Sequence, residues 1–208
     1  MTATVPRLWP GSTVVCIASG PSLTPADVEA VRGKARVIAI NRSVDLAPWA
    51  DVLYCADAKM WRWLGGAPAF TGLKFGLEAK QGRFDVTKAG VTVLGRGSVL
   101  GLSTDPTRLC RGGHSGYQAV NLAYLLGASR IVLLGYDMQP GPRGAQHWHA
   151  EHPEPLPLQF QRWLESFAAI VTPLQACGVQ IVNASRATAL TCVPRGTLAD
   201  ALGSAVAA

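Results

Sequence analysis

Six short apolar runs punctuate the chain, and each gives way to small or polar residues: "TVVCIAS" (13–19), "RVIAIN" (36–41), "DVLYCAD" (51–57), "VTVLG" (91–95), "RIVLLGYD" (130–137) and "VQIVNAS" (179–185). They are rich in Val and Ile and too short for confident helices, which suits strands buried on both faces of a parallel sheet. Between them the spacing turns helical. "TPADVEAVRG" offers Thr24 as N-cap, Pro25 at the first helical position and Gly33 as a stop. "SGYQAVNLAYLLGAS" (115–129) sets Ala119, Leu122, Ala123 and Leu126 on one face and ends at Gly127. "LQFQRWLESFAAIVTPLQACG" (158–178) predicts the longest helix, with Pro173 expected to kink it or end its first part.

This alternation predicts an α/β fold, a single domain over 1–208 with a mostly parallel, helix-flanked sheet and right-handed crossovers. No repeat or linker divides it. The stretch 65–90, rich in Gly, Lys and Phe, reads as an irregular insertion, and "MQPGPRGAQHWHAEHPEPLP" (138–157) as a long loop of the kind that forms lids. The closing "ALGSAVAA" reads as a frayed helix end.

In such sheets ligands bind beyond the carboxyl ends of the strands. The residues there are Ser19 to Ser22, Asn41 to Ser43, Asp57 with Lys59, Gly95 to Ser98, Gly135 to Asp137 and Asn183 to Arg186. In the first turn, Ser19-Gly20-Pro21-Ser22, Gly20 permits close backbone approach, the serines supply hydroxyls, and the following helix aims free N–H groups at an anion. The turn is neither GxxxxGK[ST] nor GxGxxG, and a plain strand-to-helix turn uses similar residues, so both readings stand. Gly112, Gly113 and Gly116 surround His114 and Ser115 at a second helix start, another candidate anion site. Asp137 ends a central strand, where an aspartate holds a metal or a substrate hydroxyl, or caps the next turn.

His147, His149 and His152, with Glu151, place three imidazoles in six residues. They suit a shared metal, a general base near neutral pH, or a solvated lid whose Trp148 packs down. In an extended chain only His147 and His149 point the same way. After the third strand, Lys59, Trp61, Arg62 and Trp63 suit a phosphate with a flat ring, or equally a helix turn with its tryptophans in the core. Asp57 is read as facing a ligand.

Composition narrows the class. With 49% hydrophobic and 15% charged residues in 208, the chain is not a disordered one. No segment approaches the roughly 20 uninterrupted apolar residues of a membrane span. Five cysteines at scattered positions form neither a CxxC pair nor a disulfide framework, and no signal peptide is visible, so the expectation is a reduced, cytoplasmic protein. The net charge of +6, from 19 Lys and Arg against 13 Asp and Glu, attracts phosphate-bearing partners, but no basic run marks a nucleic-acid-binding arm.

"SGPSL" after the first strand, followed by "SGYQAVNLAYLLGASRIVLLGYDM", resembles a superfamily of three branches: bacterial CMP-sugar sialyltransferases, motility-associated factors that glycosylate flagellin, and archaeal 6-hydroxymethylpterin diphosphokinases. The resemblance reaches from residue 13 to about 138 and implies a Rossmann-like sheet. It implies that Gly20, Pro21 and Ser22 lie against the donor nucleotide, that Asn41 contacts it, that Ser115 and Gly116 sit near the donor, and that Asp137 is the aspartate of the "G.D" block. The chain departs from the sialyltransferases in carrying Ala56-Asp57 where they have an asparagine, and in placing its histidines close behind the "G.D" block.

Three functions follow as expectations. One is a glycosyltransferase moving a sugar from a nucleotide-sugar donor to a glycan, a protein or a hydroxylated DNA base, with His147, His149 or Asp137 as catalytic groups and no firm cofactor. Another is an ATP-dependent diphosphokinase with Mg²⁺ on Asp57 and Asp137. The third is a nucleotide-binding module without catalysis.

Overall fold

Parallel pairing carries the whole architecture. The computed structural model describes residues 3–78, 85–150, 153 and 159–203. Its strands are β1 (Thr13–Ile17), β2 (Arg36–Ile40), β3 (Val52–Cys55), β4 (Leu73–Leu77), β5 (Thr92–Arg96), β6 (Arg108–Leu109), β7 (Arg130–Leu134) and β8 (Gln180–Asn183). They form one eight-stranded sheet in the order β6-β5-β4-β3-β2-β1-β7-β8, and every neighbouring pair is parallel. This is the expected α/β, Rossmann-like sheet.

The chain winds outward from β1 to β6, then crosses back to place β7 on the other side of β1. Helices α1 (Pro25–Val31), α2 (Ala58–Trp63) and α5 (Leu198–Gly203) contribute to one apolar layer, and α3 (Ser115–Leu126) and α4 (Phe160–Ala176) to the other. Strand alternation feeds both: Val14 and Cys16 enter the α3–α4 layer, Val15 and Ile17 the α1 layer. At the α1 start, Thr24 Oγ1 accepts the Asp27 N–H at 3.2 Å and Asp27 Oδ2 accepts the Thr24 N–H at 3.1 Å, a reciprocal capping box.

Helix α3 is buried along its length except at Tyr124, so its polar side chains need internal partners. Asn121 Oδ1 accepts from the Ser103 and Cys110 N–H groups, both at 3.0 Å, and Nδ2 donates to the Ser103 carbonyl at 2.9 Å. The Tyr117 hydroxyl donates to the Gly101 carbonyl at 2.7 Å and accepts the Gly101 N–H at 2.8 Å. These bonds peg the loops beside β6 to the helix that leads into the site.

Two expectations change. The stretch 65–90 is not wholly irregular, because it contains β4, hydrogen-bonded between β3 and β5. Lys74 hides that strand from hydropathy; its ammonium donates to the carbonyls of Gly66 at 2.9 Å and Ala89 at 3.2 Å. Helix α4 is not ended by Pro173 but runs through it to Ala176, and the Cys177 N–H closes the last turn on the Pro173 and Leu174 carbonyls. The core reading of Trp61 holds: it is a core residue of α2, 1% exposed, with Nε1 donating to the Cys55 carbonyl at 3.0 Å. Among the described residues no helix is long and apolar enough to cross a membrane. Glu151, His152, most of the remaining lid stretch to 157, residues 79–84 and the tail from 204 lie outside the described residues.

Candidate functional site

At the β1–β7 boundary the strand order reverses, and the loops leaving the two strands part to leave a crevice. A cleft of about 130 Å³ occupies it. Its floor is the first turn, Ser19 to Pro21, and the end of β7, Gly135 to Met138; Asn41 and the start of α3 form one side. Phe160 and Trp163 of α4 form another, and Gln139, Gln146 and His147 of the long loop border it.

The turn is held by the strand beside it. The Gly20 N–H donates to the Gly135 carbonyl at 2.8 Å. A Cβ on Gly20 would run into the Asp137 carboxylate and stand 2.5 Å from that carbonyl oxygen, so no larger residue fits. Asp137 is 2% exposed. Its carboxylate accepts the Ser22 N–H at 2.7 Å and the Ser22 hydroxyl at 2.9 Å, while Ser22 Oγ accepts the Ala187 N–H at 3.2 Å. Burial pushes the Asp137 carboxyl above its usual range, and the two Ser22 bonds pull part of the way back. Ser22 is thus turned toward Asp137 and the loop after β8, and it is absent from the cleft lining.

On the next strand, Asn41 sits in the left-handed region at φ 54°, where asparagine is better tolerated than most residues. Ser43 behind it donates to the Ala18 carbonyl at 2.9 Å, tying this turn to the first. Met138 also has positive φ, 51°, so two non-glycine residues of the lining hold sparsely populated backbone conformations.

Ser115 and Gly116 open α3 against the cleft, and their N–H groups lie in the first turn, where the helix offers no carbonyl partner. His114 caps this helix: its Nδ1 accepts the Tyr117 N–H at 3.3 Å. The imidazole lies against Trp163 and Phe167, at ring-centroid separations of 5.3 and 5.8 Å. Burial pushes it down to about 3, so it is neutral near physiological pH and is no base there. Gly112 answers to packing, since a Cβ there would collide with the Tyr117 ring.

The histidine loop folds down as well. The Trp148 N–H donates to the Ser19 carbonyl at 3.3 Å, and the Trp148 side chain packs on the α1-side core. His147 and His149 point the same way, their rings 4.9 Å apart and 7° from parallel. His147 lines the cleft; His149 does not, and burial lowers its imidazole below the usual value. Asp57 is exposed at the head of α2 and, with Lys59, is outside the lining. Among the described residues no group of three His, Cys, Asp or Glu is placed to hold a metal. No Lys or Arg belongs to the described lining; Asp137 is its one carboxylate.

A solved structure, of a MAf glycosyltransferase from Magnetospirillum magneticum AMB-1, matches with a TM-score of 0.67 over 94% of this chain, at 13% identity. What the two share is the fold. This chain spans 35% of that protein's length. No family model matches the chain, and no curated protein matches it in sequence.

The sequence thus names much of the cleft's lining, Ser19 to Pro21, Asn41, Ser115, Gly116 and Asp137, together with His147. It omits Phe160 and Trp163, which carry no signal beyond their place in an amphipathic helix, and it mentions His114 without assigning it a role.

Proposed function

We propose that this chain is a glycosyltransferase-like catalytic domain that moves a sugar from a nucleotide-sugar donor to an acceptor hydroxyl. The observation that carries the reading is a cleft at the β1–β7 switch point, its described lining a mix of apolar and uncharged polar groups with no Lys or Arg and one carboxylate, in a sheet matching that of a glycosyltransferase. Ser19 of the first turn and the first N–H groups of α3 take the donor's phosphate oxygens. His147 takes the acceptor proton as the acceptor oxygen bonds to the anomeric carbon; the bond from that carbon to phosphate oxygen breaks, and the nucleotide leaves with the electron pair. Asp137 serves by fixing the turn, because both its oxygens are engaged by Ser22. A cleft of about 130 Å³ is smaller than the ~300–1,000 Å³ of small-molecule sites, so the 138–150 loop swings outward when the donor enters.

The kinase alternative asks Asp57 and Asp137 to share Mg²⁺, and only Asp137 lines the cleft. The test is a panel of CMP-, UDP- and GDP-sugars, with ATP and Mg²⁺ as a separate arm, read by thermal shift and by nucleotide release. Stabilisation by one nucleotide sugar without metal, followed by slow nucleotide release, is expected. His147→Ala lowers that release by about a hundredfold or more and leaves affinity nearly unchanged. Response to ATP with Mg²⁺ alone replaces the reading with phosphoryl transfer, and tight binding with no turnover replaces it with a non-catalytic module.

A further inference from the structure

His114 presents a donor without an acceptor. Its Nδ1 accepts the Tyr117 N–H, so that nitrogen carries no proton, and a neutral imidazole then holds its single proton on Nε2. Nε2 is shut off from solvent and has no hydrogen-bond partner among the described residues. Leaving a buried N–H unpaired costs free energy, and native proteins satisfy nearly all such groups. His114 belongs to the wall of the cleft, next to Ser115 and Gly116, which line the same space at the head of a twelve-residue helix. That space has no lysine or arginine in its described lining, so an oxygen-rich ligand is recognised there through neutral donors or not at all.

We infer that His114 is a specificity-determining residue, its Nε2–H donating to an acceptor oxygen of the bound donor, on the phosphate or on the sugar. The inference rests on the nucleotide-sugar reading and deepens it. The helix cap fixes the tautomer, and the tautomer makes the residue a permanent donor. Stacking on Phe167 and Trp163 fixes the ring's direction, so a ligand oxygen gains the bond only when seated against α3. A ligand lacking an oxygen at that point leaves the N–H buried and unpaired, which is the stronger form of discrimination.

The test combines histidine ¹⁵N NMR with binding. In the free protein, the His114 resonances, assigned by their loss in His114→Asn, show the Nε2–H tautomer unchanged from about pH 5 to pH 8. Finding the proton on Nδ1 overturns the inference before any ligand is added. The binding probe is whichever of CMP-, UDP- or GDP-sugar stabilises the protein, with the parent nucleotide and the free sugar as separate arms. Asn keeps a side-chain cap for Tyr117 but does not extend to the Nε2 position, so His114→Asn folds and loses about tenfold or more in affinity. Loss carried over to the bare nucleotide places the acceptor on phosphate; loss confined to the conjugate places it on the sugar. Unchanged affinity in a folded His114→Asn, with an unmoved Nε2 resonance, overturns the inference and leaves the proposed function standing. Absence of binding by every nucleotide overturns both.

Discussion

Gly20 and Ser22 show how a residue can be legible in the sequence for one reason and placed in the structure for another. A small turn after a strand invites a phosphate reading, yet the Ser22 side chain spends its hydrogen bonds on Asp137 and Ala187, and Gly20 is small because Asp137 and Gly135 leave no room. Pro21 has no N–H and those of Gly20 and Ser22 are taken by the Gly135 carbonyl and Asp137, so Ser19 is what remains of the turn for a ligand. Ser22→Ala therefore removes a bond to a buried carboxylate and lowers unfolding free energy by about 2 kcal/mol. Gly20→Ala forces the turn away from β7 and costs about 1–3 kcal/mol by overpacking. Both are measured by denaturant unfolding, with ligand affinity taken separately; a Gly20→Ala protein as stable as the parent means that the turn does not pack as described. His114 was hidden for a related reason, since its burial, tautomer and direction come from Tyr117, Trp163 and Phe167, whose approach no local pattern records.

Elements were legible where one period dominates. β1, β2, β3, β5, β7 and β8 announce themselves as apolar runs, and α1 announces its own start through Thr24 and Pro25. β4 did not, because a strand with Lys74 and Gly76 in its middle scores as loop until the carbonyls around that lysine are known. The α1 start also carries a contact no sequence reading supplies. Arg186, in the loop after β8, donates from Nε and Nη2 to the two Asp27 carboxylate oxygens at 2.7 and 2.8 Å, clamping that loop to α1. Burial works to raise the Asp27 carboxyl, but the bonds from Arg186 and Thr24 outweigh it and hold the carboxyl below its ordinary value. A carboxyl depressed on folding adds stability above its unfolded pKa of about 3.9 and loses it as pH falls through the folded value. Arg186→Ala should therefore lower stability only slightly at neutral pH, the guanidinium being 58% exposed. The gap from the parent closes as the solution is taken below the usual carboxylate range. A gap that persists undiminished in acid assigns the effect of Arg186 to its packing instead.

For the molecule as a whole, alternation of strands and helices was enough for the class of fold, but not for the strand order, in which β7 returns past β2 to β6 to lie on the free side of β1 and makes β1 and β7 the pair at which the order reverses. That pair decides where the cleft opens, and charge decides how a ligand reaches it. The net charge of +6 draws anions toward the surface, while the described cleft lining holds no cation to pair with them on arrival. The two facts separate approach from residence. Salt screens the long-range field, with a Debye length of about 10 Å at 0.1 M, and leaves short hydrogen bonds from neutral donors little affected. Raising salt from about 0.05 to 0.5 M should slow association of a nucleotide sugar several-fold and leave its dissociation rate nearly constant, as stopped-flow measurement would record. Dissociation that accelerates with salt means that a lysine or arginine reaches the phosphate once the lid loop moves, and the cleft then recognises its ligand by charge as well as by the donors of the first turn, α3 and His114.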